Sequence, residues 1–117
     1  LSRAASLGAA AILAAGTLKR VTVDVPEWGG KVTVRELTLA ERIDMATVGE
    51  DGNAHLAAWL VVTAATDAAG EPLFAMPARE AAIGTLMTKS AVPVGRLAEA
   101  VMRISGLTAS PEDAEKN

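Results

Sequence analysis

Between residues 20 and 36, valine falls on every second position in two separate runs. Val21, Val23 and Val25 alternate with Thr22 and Asp24, and Val32 and Val34 alternate with Lys31, Thr33 and Arg35. A period of two sets the β-branched side chains on one face of each run, the pattern of a half-buried strand. Between the runs lies Pro26-Glu27-Trp28-Gly29-Gly30. Pro26 cannot donate a ladder hydrogen bond and marks a strand end. The two glycines tolerate the positive φ that a tight reversal requires. The pattern predicts a β-hairpin over about 20–36. A lone hairpin is not stable in water, so its valine face must pack on helices supplied by the rest of the chain.

The flanking sequence is rich in helix signals. Of the 117 residues, 50% are apolar, and 25 are alanine, the residue that loses least side-chain entropy in a helix. An alanine-rich helix is expected within residues 1–19, over about 4–15. A secretory leader is the rival reading of this stretch, with Arg3 ahead of an apolar run and small residues at Ala14, Ala15 and Gly16. The run is poor in leucine, however, and Leu18-Lys19-Arg20 passes directly into the first valine strand. After the hairpin, a helical body is expected over 38–107. Thr38-Leu39-Ala40-Glu41 reads as a capping box opening a helix over about 39–48, with Leu39, Ile43 and Ala46 on one face. Asn53 is placed as the cap of a helix over about 54–66, apolar nearly all round and therefore a core helix containing Trp59. At 13 residues that run is short of the roughly 20 a membrane span needs. A turn over 67–72 precedes a helix over about 77–88, with Pro77 as its first residue. Ser90 opens a last helix on which Val94, Leu97, Val101 and Ile104 recur at helical spacing up to Gly106. Residues 108–117 read either as an acidic tail or, from Ser110-Pro111-Glu112-Asp113, as the start of a helix belonging to a longer product. The expected fold is therefore α+β in a single domain over 1–117: one β-hairpin packed on four to five α-helices, mostly helical.

Composition removes several functions. The chain has no cysteine, so no thiolate nucleophile and no sulfur-ligated zinc, and one histidine, His55. Glu50-Asp51 lies in a glycine loop and reads as a solvated turn, because no closing glutamate completes a calcium loop. Gly29-Gly30 reads as a hairpin turn, because a phosphate-binding loop needs more glycines, a lysine and a helix directly after it, whereas Lys31 leads into a strand. The net charge of −3, concentrated in the C-terminal two thirds, is a poor footprint for nucleic acid. Catalytic, cofactor and metal sites are accordingly assigned to no residue. What remains is apolar surface for another protein. Met45, Met76, Met87 and Met102 suit irregular apolar partners, or an ordinary core. Trp28, at the hairpin turn, reads either as a staple over the strands or as a partner anchor.

The segment from Val21 to Thr38, with an acid between valines, Pro-Glu-Trp-Gly-Gly, a second valine strand and Arg35-Glu36-Leu37-Thr38, resembles the tail assembly chaperones of long-tailed bacteriophages and their prophages. The Glu41-Arg42 pair, the acid-to-Leu-Phe turn from Asp67 to Phe74, Leu86 with Lys89-Ser90, and Ile104-Ser105-Gly106-Leu107-Thr108 add to the resemblance, which runs from about residue 11 to 117. It implies a non-enzymatic, cofactor-free factor in the cytoplasm of a bacterial host. Such a factor would bind the tape-measure protein, help recruit tail-tube protein, and be absent from the mature virion. It also implies a longer frameshifted form of the same chain, with neither nucleic acid nor membrane as partner. The signature or partner-binding positions on this reading are Pro26, Glu27, Trp28, Gly29, Gly30, Arg35, Glu36, Leu37, Glu41 and Arg42. The alternative is a structural tail or head–tail component that stays in the particle.

Overall fold

A computed structural model describes residues 6–107. The elements run α1 (Ala9–Ala14), β1 (Arg20–Val25), a single 3₁₀ turn (Pro26–Trp28), β2 (Gly30–Arg35), α2 (Leu39–Gly49), α3 (Asn53–Ala64), β3 (Ala65–Thr66), α4 (Ala78–Leu86) and α5 (Ala91–Ile104). The α+β expectation holds: five helices surround a small antiparallel sheet.

β1 and β2 pair as the valine alternation requires, with Val21 opposite Val34, Val23 opposite Val32 and Val25 opposite Gly30. The valines share one face because the side-chain period is two. Val25 and Val34 are fully buried, and Val23 and Val32 pack against the same core. On the opposite face the Thr22 and Thr33 hydroxyls lie 2.9 Å apart. The sheet also has a third strand that the sequence did not announce. Immediately after α3 the chain extends, and Thr66 and Ala65 of β3 pair with Thr33 and Val34 of β2. The helix expected over 54–66 therefore stops at Ala64, because pairing with β2 satisfies the backbone of the next two residues.

Three helix termini carry the expected local chemistry. At α2, the Thr38 side chain accepts from the Glu41 amide at 3.2 Å, and the Glu41 carboxylate accepts from the Thr38 amide at 2.9 Å, a complete capping box. At α5, Ser90 Oγ accepts from Val92 N. Its C-terminus closes with Gly106 at φ 74°, Gly106 N donating to Arg103 O and Leu107 N to Met102 O, a Schellman arrangement. Two placements differ from expectation by one residue. Asn53 is the first residue of α3, and Gly52 at φ 106° takes the cap position without a side-chain bond. Pro77 sits at the cap position of α4 rather than inside it.

The core lies between the valine face and α3 and α5. Residues Ala58–Ala64 of α3 are all buried, as an all-apolar helix demands. α5 contributes Val94, Leu97 and Val101, and α4 contributes Ile83. α1 differs most from expectation. It spans six residues rather than a dozen, and Ile12 and Leu13 on it are exposed. Too few large apolar groups punctuate its alanines to anchor it. Residues 1–5 and the Ser110 start signal lie outside the described residues.

Candidate partner-binding surface

The hairpin tip is built from a rigid turn. Pro26 opens the 3₁₀ turn, and Gly29 closes it at φ 76° with its amide on Pro26 O at 3.1 Å. The left-handed value is why a glycine stands there. Glu27 reaches across the surface to Arg96 of α5 in a two-pronged pair, both N···O distances 2.7 Å. The Arg96 hydrogen bonds pull the Glu27 carboxyl down to about 2 from its ordinary 4.5. Arg96 also reaches Asp24 O at 3.5 Å, so one guanidinium ties the end of β1 and the turn to α5. Trp28, next to this clamp, is 42% exposed.

A second clamp joins β2 to α2. Arg35 donates to both Glu41 carboxylate oxygens, at 2.8 and 2.9 Å, and to the carbonyls of Glu36 and Thr63 at 2.9 and 3.1 Å. It thus ties β2, α2 and the end of α3 together. Burial opposes the Glu41 charge, but hydrogen bonds from Arg35 and Thr38 more than offset it, and the carboxyl lies below its ordinary range. The Arg35 guanidinium is raised by its hydrogen bonds to Glu41.

The other signature positions separate by environment. Leu37 is buried, and its amide donates to Ser105 Oγ at 2.9 Å. Glu36 accepts from the Lys19 amide at 2.8 Å, closing the open end of the hairpin. Arg42 is exposed on α2. Gly30 begins β2 opposite Val25. Pro26, Glu27, Gly29 and Gly30 therefore shape the tip; Arg35, Glu36, Leu37 and Glu41 join elements; Trp28 and Arg42 face solvent.

α2 carries an exposed apolar stripe. No residue of it is fully buried. Met45 and Val48 pack against the core, while Leu39 and Ile43, one turn apart, are 76% and 67% exposed. Arg42 lies beside them, since positions i, i+3 and i+4 share a face. Among the methionines, Met76 and Met87 are exposed and Met45 and Met102 half-buried.

Nothing in the residue pattern points to Arg96, Arg79 or Ser105 as cross-linking groups. Arg79 bonds Thr63 Oγ1, 16 residues away; Arg96 and Ser105 bond partners 69 and 68 residues away. His55 sits with Nδ1 3.8 Å from Asp51 Oδ2. Among the described residues no group of three His, Asp or Glu side chains could hold a metal ion, and no helix is long and apolar enough to cross a membrane.

A small antiparallel sheet packed on a helical body defines the fold class, and a solved structure shares that fold. The chain is similar to the tail assembly chaperone of bacteriophage HK97, with a TM-score of 0.59 and 22% sequence identity over 85% of this chain and 91% of that one. No family model matches the sequence, and no curated protein matches it.

Proposed function

We propose that this chain is a phage tail assembly chaperone. It binds the tape-measure protein, helps bring tail-tube subunits to it, works in the host cytoplasm without catalysis or cofactor, and is left out of the finished virion. The observation that carries the reading is the exposed Leu39–Ile43 stripe on a helix locked in place by Arg35, Glu41 and Thr38. An exposed apolar stripe on a rigid helix is the surface that an amphipathic client helix packs against. The Pro-Glu-Trp-Gly-Gly hairpin and the fold shared with the HK97 chaperone support the same assignment.

Co-expression tests it. The tape-measure protein of the same phage genome should be soluble with the wild-type chain and should precipitate with the Leu39→Ser/Ile43→Ser double variant. Purified particles should lack the chain. Finding it in stoichiometric amount in particles would establish the alternative, a structural tail or head–tail component.

A further inference from the structure

We infer that the helix received by the α2 stripe carries a lysine or arginine on one flank, and that this side chain enters a pocket between α2, α3 and α4 rimmed by Asp44 and Glu80. The inference rests on the reading of Leu39 and Ile43 as the client site and adds the chemistry of what binds there.

The pocket adjoins the stripe. Its volume is about 350 Å³, and it is lined by Asp44 of α2, Trp59 of α3, Met76 and, on α4, Arg79, Glu80 and Ile83. Successive residues of a helix are about 100° apart around its axis. Asp44 therefore stands one step round α2 from Ile43 on one side, and Arg42 one step round on the other. A helix lying along Leu39 and Ile43 passes Asp44 with one flank and Arg42 with the other.

The pocket's walls and rim suit a long basic side chain. Trp59 and Ile83 are each more than nine-tenths buried and give it an apolar floor, while Met76 is 68% exposed. Apolar walls accept the methylene stem of a lysine or arginine while its charged end stays at a polar rim. Glu41, at the same rim, is spent on Arg35, and Arg79 bonds Thr63 Oγ1. Asp44 and Glu80 are exposed and pair with no cation among the described residues. Two such carboxylates against one guanidinium leave the rim acidic, so a basic side chain is attracted there and an acidic one repelled.

The groove between β1 and α5 makes the contrast. Its charges are matched within the chain, Arg96 to Glu27 and Arg103 to Glu99, and none is left to choose an occupant. On the α2 face Arg42 is exposed and, like Asp44 and Glu80, has no partner of opposite charge among the described residues. Opposite signs on the two sides of the stripe select a helix with a base on one flank and an acid on the other. They also fix the direction in which it lies, since reversing it brings like charges together. Exposed charge contacts add little raw affinity; here they decide which helix binds and which way round.

Peptide binding to the full chain tests this. The probes are two designed helices of about 20 residues, long enough to be helical alone, sharing a leucine stripe at i, i+4, i+7 and i+11. One carries lysine on one flank and glutamate on the other; the second carries glutamate on both. The wild type should bind the mixed helix about fivefold more tightly, and the difference should shrink in high salt. Asp44→Lys/Glu80→Lys should reverse the order. Should that variant misfold by circular dichroism, Asp44→Asn/Glu80→Gln decides, and should lose the preference. Equal affinity of the wild type for the two helices, no binding of either, an unchanged order in the folded lysine variant, or a preference kept by Asp44→Asn/Glu80→Gln overturns the inference. So does peptide binding that falls as the chain concentration rises, which would give the face to a second copy. Solubility of the tape-measure protein with the wild type is scored separately: precipitation there defeats the chaperone reading, and a failed peptide ranking with the tape-measure protein still soluble defeats this inference alone.

Discussion

Arg35 and Glu41 face each other across the joint between β2 and α2, doubly hydrogen-bonded at 2.8 and 2.9 Å, with only 15% and 19% of their side chains exposed. The pair fixes the angle at which α2 leaves the sheet, and so the direction in which the Leu39–Ile43 stripe points. Removing one partner leaves the other charge largely desolvated. Glu41→Ala should cost about 3 kcal/mol of unfolding free energy, and Arg35→Ala about as much. Arg35→Lys should recover only part, because an ammonium cannot reproduce the two-pronged geometry. Denaturant unfolding of the three variants measures this.

The same pair and the Glu27–Arg96 clamp predict the acid limb of the stability curve. Both carboxyls have folded-state pKa values below their unfolded value of 4.5, and that of Glu27 falls to about 2. The unfolded chain therefore binds more protons as pH drops. The contribution of each pair is fully present above the unfolded value and is lost as pH falls through the folded one. Melting temperature should decline from about pH 5 toward pH 2, and Glu27→Gln and Glu41→Gln should each flatten that decline. Thermal melts across that range test it. Added salt should weaken the half-exposed Glu27–Arg96 share more than the Arg35–Glu41 share.

At the tip, Gly29 holds φ 76°, and a Cβ there would meet nothing within 4 Å. Substitution is therefore penalised by backbone conformation alone. Gly29→Ala should cost about 1 kcal/mol, Gly29→Val more and Gly29→Asn less, following the left-handed preferences of those residues. Chemical denaturation of the series would show the ranking.

Much of this architecture was legible in the sequence because its causes are local. The valine alternation, the Pro26 stop and Gly29 together specify the hairpin and its register. Thr38 and Glu41 specify their own cap. The Val94, Leu97, Val101 stripe specifies the buried face of α5. β3 was hidden because Ala65-Thr66 continues the apolar run of α3, and only pairing with Thr33 and Val34 draws it out of the helix. The clamps were hidden for a similar reason. Glu27 and Arg96 are 69 residues apart, and Arg96 has Glu99 close by in sequence as a more obvious partner. α1 was overestimated because alanine content reports helix propensity but not anchorage; its Ile12 and Leu13 find nothing to bury against.

Trp28 distinguishes packing from recognition. With 42% of its surface exposed and the turn held by Arg96, Trp28→Ala should lower stability by about 1 kcal/mol or less, well under the cost of truncating a buried tryptophan. Its effect on client binding per folded molecule should be larger, since half-exposed tryptophans are strong interface anchors. Calorimetric melts paired with a client pull-down compare the two.

The central claim is that the α2 stripe engages the client. The most direct measurement is the affinity of the purified chain for the tape-measure protein, wild type against Leu39→Asp/Ile43→Asp. Both side chains are exposed, so the melting temperature should hold steady while Kd rises tenfold or more, about 1.4 kcal/mol of binding. An unchanged Kd in the folded double variant would contradict the account.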